Sequence, residues 1–514
     1  MAEKLETYLQ TYFGYQAFQQ GQREIISDVL KGHDVLGVLP TGSGKSLCYQ
    51  LPAKVLPGVT IVVSPLISLM IDQVKQLKAY YYKEAEALHS FQSWKEKQQI
   101  LQQLHTYKLL FISPELLQNT EVQQKMKQVS LSLFVIDEAH CISQWGHDFR
   151  PDYLRLQSII KMFEETPVLA LTATASPAVQ KDIKRTLKRA PMKKHTYSIE
   201  RENISLVVEH ITAGEFEKKK RLISYIEKCP APTIIYFSSR KKAEEIALYL
   251  HQALPGRHIA YYHAGMQQEE RMQIQQQFLH DQLDIICSTS AFGMGINKSN
   301  IRLVVHYHIP TQLESFVQEI GRAGRDGKPS VSVVLYRKEE KQIPLAIIQN
   351  ELPNGEVTNI VCRYLQDLAL QGKTVPSYSQ ELEQRLQVDE VKWRFLLYQL
   401  EYRGILKESV IETVPEKWEA AISEITAFCR NRYLNKRKEL WKLVSWMEGT
   451  ACLRVGLYRH FQENVQREQE NCCSNCGFTM NRLVEMKEWE TVPEAPAMNW
   501  QEELKSLLLE GAKE

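Results

Sequence analysis

No apolar run in this 514-residue chain is long enough to cross a bilayer, and the N-terminal segment MAEKLETYLQ lacks the apolar core of an export signal. These absences exclude a membrane-spanning reading, and the expected location is cytoplasmic with no membrane partner. Charge of one sign is not in excess either. The 63 Lys and Arg balance 61 Asp and Glu to a formal net charge of +2, so any footprint for an acidic partner must be local rather than global. No internal repeat and no low-complexity tract is present, which excludes solenoids and arrays. Cysteine is sparse, ten in all, and without an export signal it points to a reducing compartment rather than a disulfide scaffold. Four of the ten fall between Cys452 and Cys476, a clustering that reads as a metal site. What is present suffices for real cores: 44% of residues are hydrophobic, and the length suggests three or four domains.

The chain is organised around VLGVLPTGSGKS, residues 35–46. Val35 to Leu39 is an apolar run of strand length, Pro40 to Gly44 stop it, and Lys45-Ser46 open an expected helix. Strand, glycine turn and helix start make a phosphate cradle, in which backbone N–H groups and the helix N-terminus face oxyanions. Thr41, Gly42, Ser43, Gly44, Lys45 and Ser46 are the candidate ATP-binding residues. Lys45 is expected to reach the β- and γ-phosphates and Ser46 to ligate Mg²⁺. Leu39 stands where the general pattern has glycine, so the match is to the TGSGKS variant.

About 90 residues on, Asp137-Glu138-Ala139-His140 ends the apolar run LFVID. Two carboxylates at a buried strand end are costly unless a positive group meets them. Asp137 is expected to hold Mg²⁺ opposite Ser46, and Glu138 to take the proton of the attacking water. Charge on the transferred phosphoryl group needs an arginine from a second domain. Arg322 and Arg325, in QEIGRAGRDG, are the candidates, expected on one helix face, with Arg325 as the finger.

Residues 8–31 read as helical, and β-rich runs then alternate with helix-like sequence. The first series is TIVVS, LLFIS, LFVID and VLALT; the second is TIIYF, IAYYH, DIICS, LVVH and VSVVLY. Strands buried on both faces and alternating with helices indicate parallel α/β sheets. The boundary is expected near residues 200–215, between Arg201-Glu202-Asn203 and Lys218-Lys219-Lys220-Arg221. Past Arg337 the sequence becomes charged and helix-like, and Gln380–Leu386 with Val388–Tyr402 is compatible with a winged-helix-like element.

With these motifs the chain resembles a superfamily 2 helicase, and within that group the RecQ family of DNA helicases, from Phe13 to Gly327. FGYQAFQQGQREII resembles the adenine-recognition motif, which implies that Gln22 reads adenine; Gln19 and Gln20 stand where the family usually has Arg and Pro. SPLISLMIDQ, LTATA, YHAG and STSAFGMGINK resemble further helicase motifs. CISQWGHDFRPDY, directly after the DEAH box, resembles the aromatic loop that couples DNA binding to hydrolysis. That resemblance implies DNA-coupling roles for His140, Trp145, Phe149 and Arg150. Trp145, Phe149 and Tyr153 also offer stacking faces for bases.

Cys473 and Cys476 have the CxxC spacing of a zinc site; Cys472 and Cys452 complete a Cys₄ set, with Cys429 as a rival ligand. GTACLRVGLYRHFQE resembles the family's helix carrying the first ligand. A basic stretch, Arg430 to Lys442, lies beside it and is a candidate DNA-facing surface. Only 38 residues follow Cys476, too few for the winged helix and HRDC domain of longer members.

The expected fold is therefore α/β: two tandem RecA-like parallel-sheet domains, residues 1–205 and 206–345, then a mostly helical region. That region divides into a helical linker or winged-helix-like element at 346–425, a zinc-binding module at 426–480 and a tail at 481–514. The resemblance implies an ATP-dependent DNA helicase using ATP, Mg²⁺ and Zn²⁺, moving 3′ to 5′, acting in repair or recombination. Its partners would be single-stranded DNA, tailed duplex and single-strand-binding or repair proteins, and it would be nucleoid-associated if bacterial. The rivals are an RNA helicase of the DEAD/DEAH type and a non-enzymatic DNA-binding protein with a decayed motor.

Overall fold

The computed structural model describes residues 4–79, 82–143, 151–189, 191–293, 298–407, 410–462, 465 and 472–481. Strands β1 (Val35–Val38), β2 (Val59–Val63), β3 (Ala85–Leu88), β4 (Leu109–Ile112), β5 (Leu131–Ile136), β6 (Val168–Thr172) and β7 (Lys193–Thr196) form one sheet. Their order is β3-β4-β2-β5-β6-β1-β7, and all pairings are parallel. Alternation along each strand fills two cores. Leu36, Ile61, Leu110, Phe134 and Ala170 point to one face, while Val35, Val62, Phe111, Val135 and Leu171 point to the other. Helices cover both faces, which is why these strands read as continuous apolar runs.

Strands β8 (Ile204–His210), β9 (Thr233–Tyr236), β10 (Ile259–Tyr262), β11 (Ile285–Ser288), β12 (Leu303–His306) and β13 (Ser330–Tyr336) form the second sheet, ordered β10-β11-β9-β12-β13-β8 and also parallel. The chain passes from one lobe to the other within residues 197–203. The expected boundary at 200–215 overlaps β8, which pairs along its whole length with β13. The stretch 8–31, read as helical, falls within two helices, Leu5–Phe13 and Gln22–Leu30, with a break between them. Gly14 and Gly21, both with positive φ, break it.

Past the second sheet, helix Gln342–Glu351 packs on the 34-residue helix Pro415–Glu448. Glu351 fastens them by accepting from Arg432 at 3.2 Å and from Lys436. Inserted between the two are helices Gly355–Leu370, Gln380–Leu386 and Glu390–Tyr402 and a hairpin of β14 (Leu406–Lys407) and β15 (Val410–Ile411). These helices and the hairpin have their own core around Trp393, Leu396 and Trp418. The insertion lies before the cysteine cluster. Among the described residues, no helix is long and apolar enough to cross a membrane.

Candidate active site

Strand order in the first sheet builds the site. β5, β6 and β1 are neighbours and parallel, so the loops at their carboxyl ends emerge together. After β1 the turn at 40–44 carries Gly42 at φ +86° and Gly44 at +63°. Ser43 tightens it: its hydroxyl and its N–H both donate to the Pro40 carbonyl, at 2.8 and 3.2 Å. Helix Leu47–Val55 follows, so its N-terminus lies directly behind the turn.

After β5, Glu138 adopts the left-handed conformation at φ 49°, which folds the chain back beside Asp137. The Glu138 N–H donates to Asp137 Oδ1 at 2.9 Å. His140 is buried, with Nδ1 3.0 Å from Thr172 Oγ1 and 3.3 Å from the Glu138 carboxylate. Thr172 closes β6, so one imidazole ties two adjacent strand ends. Burial, then the Glu138 carboxylate, pushes Asp137 up to about 7, while Lys45 pulls the other way. Burial lowers Lys45 in turn, opposed by Glu138 and Asp137. Two half-buried carboxylates, one ammonium and the Ser46 hydroxyl form a donor set suited to a hard divalent cation and to phosphate.

The second lobe supplies the arginines differently from expectation. Helix Leu313–Ile320 stops before both, because Gly321, Gly324 (φ +53°) and Gly327 (φ +81°) break it into turns. Arg322 and Arg325 therefore project from a turn, not from one helix face. Arg322 donates to the Gly293 carbonyl, and Arg325 crosses the cleft. A Cβ on Gly42 would meet Arg325 Cγ at 3.2 Å. Burial, then Arg322 and Arg201, brings Arg325 down to about 9, so it stays cationic at neutral pH.

Sequence reading used Arg201 only as a boundary marker. Its guanidinium donates to the Thr41 carbonyl at 3.1 Å in the near lobe. It also donates to the carbonyls of Gly321 at 3.3 Å, Ala323 at 3.2 Å and Gly324 in the far lobe. A polar triplet, Arg201-Glu202-Asn203, at a lobe junction was the available signal.

Gln22 is buried against the cradle. Its Nε2 donates to the carbonyls of Ser43 at 2.9 Å and Gly44 at 3.1 Å, and its Oε1 accepts from the Gln19 N–H at 2.9 Å. It lines a cavity of about 290 Å³ with Tyr12, Phe13, Tyr15, Gln50 and Tyr82, in which aromatic faces and amides suit a flat base. Of the aromatic-loop residues, Trp145, Phe149 and Arg150 lie outside the described residues. Both flanks are anchored. Ser143 donates to Asp182 at 2.8 Å, and the Tyr153 hydroxyl donates to the Asp137 carbonyl at 3.2 Å. Tyr153 is fully buried, so the expected stacking face is instead core that reports to Asp137.

Cys452, Cys472, Cys473 and Cys476 place their sulfurs within 4.8 Å of one another. Cys452 and Cys472 are 3.5 Å apart, near the roughly 3.8 Å edge of a tetrahedral zinc–thiolate site. The set therefore fits zinc. The Leu453 N–H donates to Cys473 Sγ at 3.3 Å, and the cysteine segment pairs with β8 through Leu206 N–H to Cys472 carbonyl at 3.2 Å. The rival Cys429 packs in the core of the inserted helices with Ile425 and Phe428, away from the cluster. Of the basic stretch, Arg432 and Lys436 are spent on Glu351 and Lys442 pairs with Glu439 at 2.8 Å, which leaves less of it facing outward than its charge count implies.

Two facing parallel-sheet lobes, a phosphate turn, a carboxylate pair and an arginine turn define a two-lobed helicase motor. The chain matches the DEAD/DEAH box helicase family over residues 19–183 and the helicase conserved C-terminal domain over residues 217–327. It is 41% identical to the probable ATP-dependent DNA helicase RecS of Bacillus subtilis (strain 168) over 503 residues, 98% of this chain and 97% of that protein. It is 44% identical to the ATP-dependent DNA helicase RecQ of Haemophilus influenzae over 331 residues, 64% of this chain and about half, 52%, of that longer protein. A structure of Mycobacterium smegmatis helicase Lhr bound to ssDNA and AMP-PNP shares the fold, with TM-score 0.57 and 16% identity over 82% of this chain and 61% of that one. The chain belongs to the RecQ helicase family.

Gly42 carries two demands at once, a positive φ and room for Arg325. Gly42→Ala is expected to lower ATP turnover about 100-fold, the scale of a small misplacement at a reacting centre. Steady-state ATPase with a matched melting curve checks this; turnover within twofold of the parent contradicts the close approach.

Proposed function

We propose that this chain is an ATP-dependent DNA helicase that moves 3′ to 5′ along single-stranded DNA and separates duplex, in the service of repair or recombination. The observation that carries it is Arg325 of the second lobe lying against Gly42 of the phosphate turn, in the cleft that holds Lys45, Asp137 and Glu138. Thr41 to Ser46 cradle the phosphates and Lys45 neutralises them. Ser46 and Asp137 hold Mg²⁺, which when bound supplies charge neutralisation at the phosphates. Glu138 accepts the proton of the attacking water, and the guanidinium groups of Arg325 and Arg322 stabilise charge on the transferred phosphoryl group. The base sits in the cavity beside Gln22. His140 links the carboxylate pair to Thr172, and through Cys141–Tyr153 to the DNA-coupling residues Trp145, Phe149 and Arg150. The four cysteines hold Zn²⁺ in a structural role.

DNA rather than RNA is supported by the names of the two relatives, both DNA helicases, and by the aromatic loop after the DEAH box. Backbone contacts from strand-end hydroxyls carry no sequence information, so binding is sequence-independent. The experiment compares ATP hydrolysis alone, with single-stranded DNA and with RNA, then strand displacement on duplexes with 3′ or 5′ tails. Stimulation by DNA and release of 3′-tailed duplex are expected. Stimulation by RNA alone overturns the substrate, and release of only the 5′-tailed duplex overturns the polarity.

A further inference from the structure

One guanidinium, that of Arg201, bonds to both lobes beside the phosphate turn. Its acceptors are the carbonyl of Thr41, one residue before Gly42, and those of Gly321, Ala323 and Gly324, which bracket Arg322 and lead into Arg325. The two turns touch there: a Cβ on Gly321 would lie 3.0 Å from Thr41 Cβ. A planar fork with five donors can serve several carbonyls in fixed directions, which an ammonium cannot.

The backbone of Arg201 is held from a third side. Its N–H donates to the Tyr458 hydroxyl at 3.4 Å, and its carbonyl accepts from Arg454 Nη1 at 2.9 Å. Arg454 also donates to the carbonyls of Glu202 at 3.1 Å and Ile204 at 2.7 Å, and lies 3.6 Å from the buried Glu200. Both Arg454 and Tyr458 sit on helix Leu453–Tyr458, which begins one residue after Cys452 of the cysteine cluster. The lobe-crossing segment therefore runs between the metal module and the cleft, and Arg201 faces both.

Resting on the helicase reading above, we propose that Arg201 is a positioning residue for ATP hydrolysis. It fixes the arginine turn over the phosphate turn, and Arg454 fixes Arg201, so the cysteine module sets the geometry of the cleft. Arg201 need not touch the reacting atoms for this; it acts through the backbone of the residues that carry Arg322 and Arg325.

The test uses the full chain with Arg201→Gln, Arg201→Lys, Arg454→Lys and the Arg201→Gln/Arg454→Lys double variant. With saturating single-stranded DNA, Arg201→Gln is expected to lower kcat about 10-fold or more. Arg201→Lys should fall in the same direction, because charge without the fork does not join the two turns, and it stands in if the Gln variant fails to fold. Affinities for a fluorescent non-hydrolysable ATP analogue and for DNA should stay within about threefold, with metal content and melting temperature as in the parent. Arg454→Lys should lower kcat less, and the double variant should be no worse than Arg201→Gln alone. A kcat within twofold of the parent in both Arg201 variants overturns the proposal. So does a loss of nucleotide affinity that tracks the loss of kcat, which marks Arg201 as mere support for the cradle. A double variant that falls by the product of the single effects overturns the Arg454 limb. If the parent itself shows no DNA-stimulated hydrolysis, the helicase reading fails; if the parent and Arg325→Ala behave as expected while Arg201→Gln is normal, only this inference fails.

Discussion

Arg325→Ala is expected to lower kcat for DNA-stimulated ATP hydrolysis by about 10³-fold, the lower end of what an arginine finger supplies. The reason is placement. Arg325 lies against Gly42 from the opposite lobe, and its partners include two other cationic groups, Arg322 and Arg201, that lower its proton affinity without discharging it. A guanidinium brought to the phosphate turn from the opposite lobe can meet the negative charge that develops on a transferred phosphoryl group. Nucleotide binding should change little, because the cradle and Lys45 belong to the first lobe. Arg325→Lys should recover only part of the loss, since an ammonium cannot grip two phosphoryl oxygens at once. Single-turnover hydrolysis beside binding of a non-hydrolysable analogue separates the two effects. A kcat within tenfold of the parent would sink the finger assignment.

The second large effect is expected at Cys473→Ser. The four sulfurs already lie within 4.8 Å of one another, so replacing one thiolate removes a ligand from a set with no spare among the described residues. Structural zinc sites contribute roughly 10 kcal/mol or more of apparent binding free energy, which is comparable to the stability of a whole domain. The variant should therefore lose its metal and melt in two steps, the helical region ahead of the sheets. Elemental analysis and a melting scan check it together. One zinc per chain in the variant would remove Cys473 from the ligand set.

Much of the fold was legible because β1, β2, β4, β5 and β6 are buried on both faces and must be apolar throughout. The strands not anticipated were β3, AEAL, and β7, KKHT, both at sheet edges: β7 faces water and carries no apolar run, while β3 is buried but is built from Ala and Glu, which strands disfavour. β8 was missed for another reason: ISLVVEH follows the polar triplet Arg201-Glu202-Asn203, which reads as a linker. The cradle and DEAH residues were legible because each spacing is dictated by a single turn. Whatever depends on contact between remote segments was not. Spacing placed Arg322 and Arg325 on one helix face, but glycines end that helix first. Spacing gave Tyr153 to solvent, but the core took its ring. Arg201 is marked locally only by its place at a lobe junction and Arg454 by nothing local, because their partners lie 120 to 257 residues away.

The outer edge of β8 has one further consequence. Three of its outward polar groups are answered by the cysteine module: the Ile204 carbonyl by Arg454, the Leu206 N–H by the Cys472 carbonyl and the Val208 N–H by Ser474 Oγ at 3.3 Å. A bare strand border templates pairing with a second chain. Stripping the metal should thus not merely slow the motor. It should leave a sticky flank, and the chelated protein should precipitate in a concentration-dependent way while its nucleotide cleft is still folded.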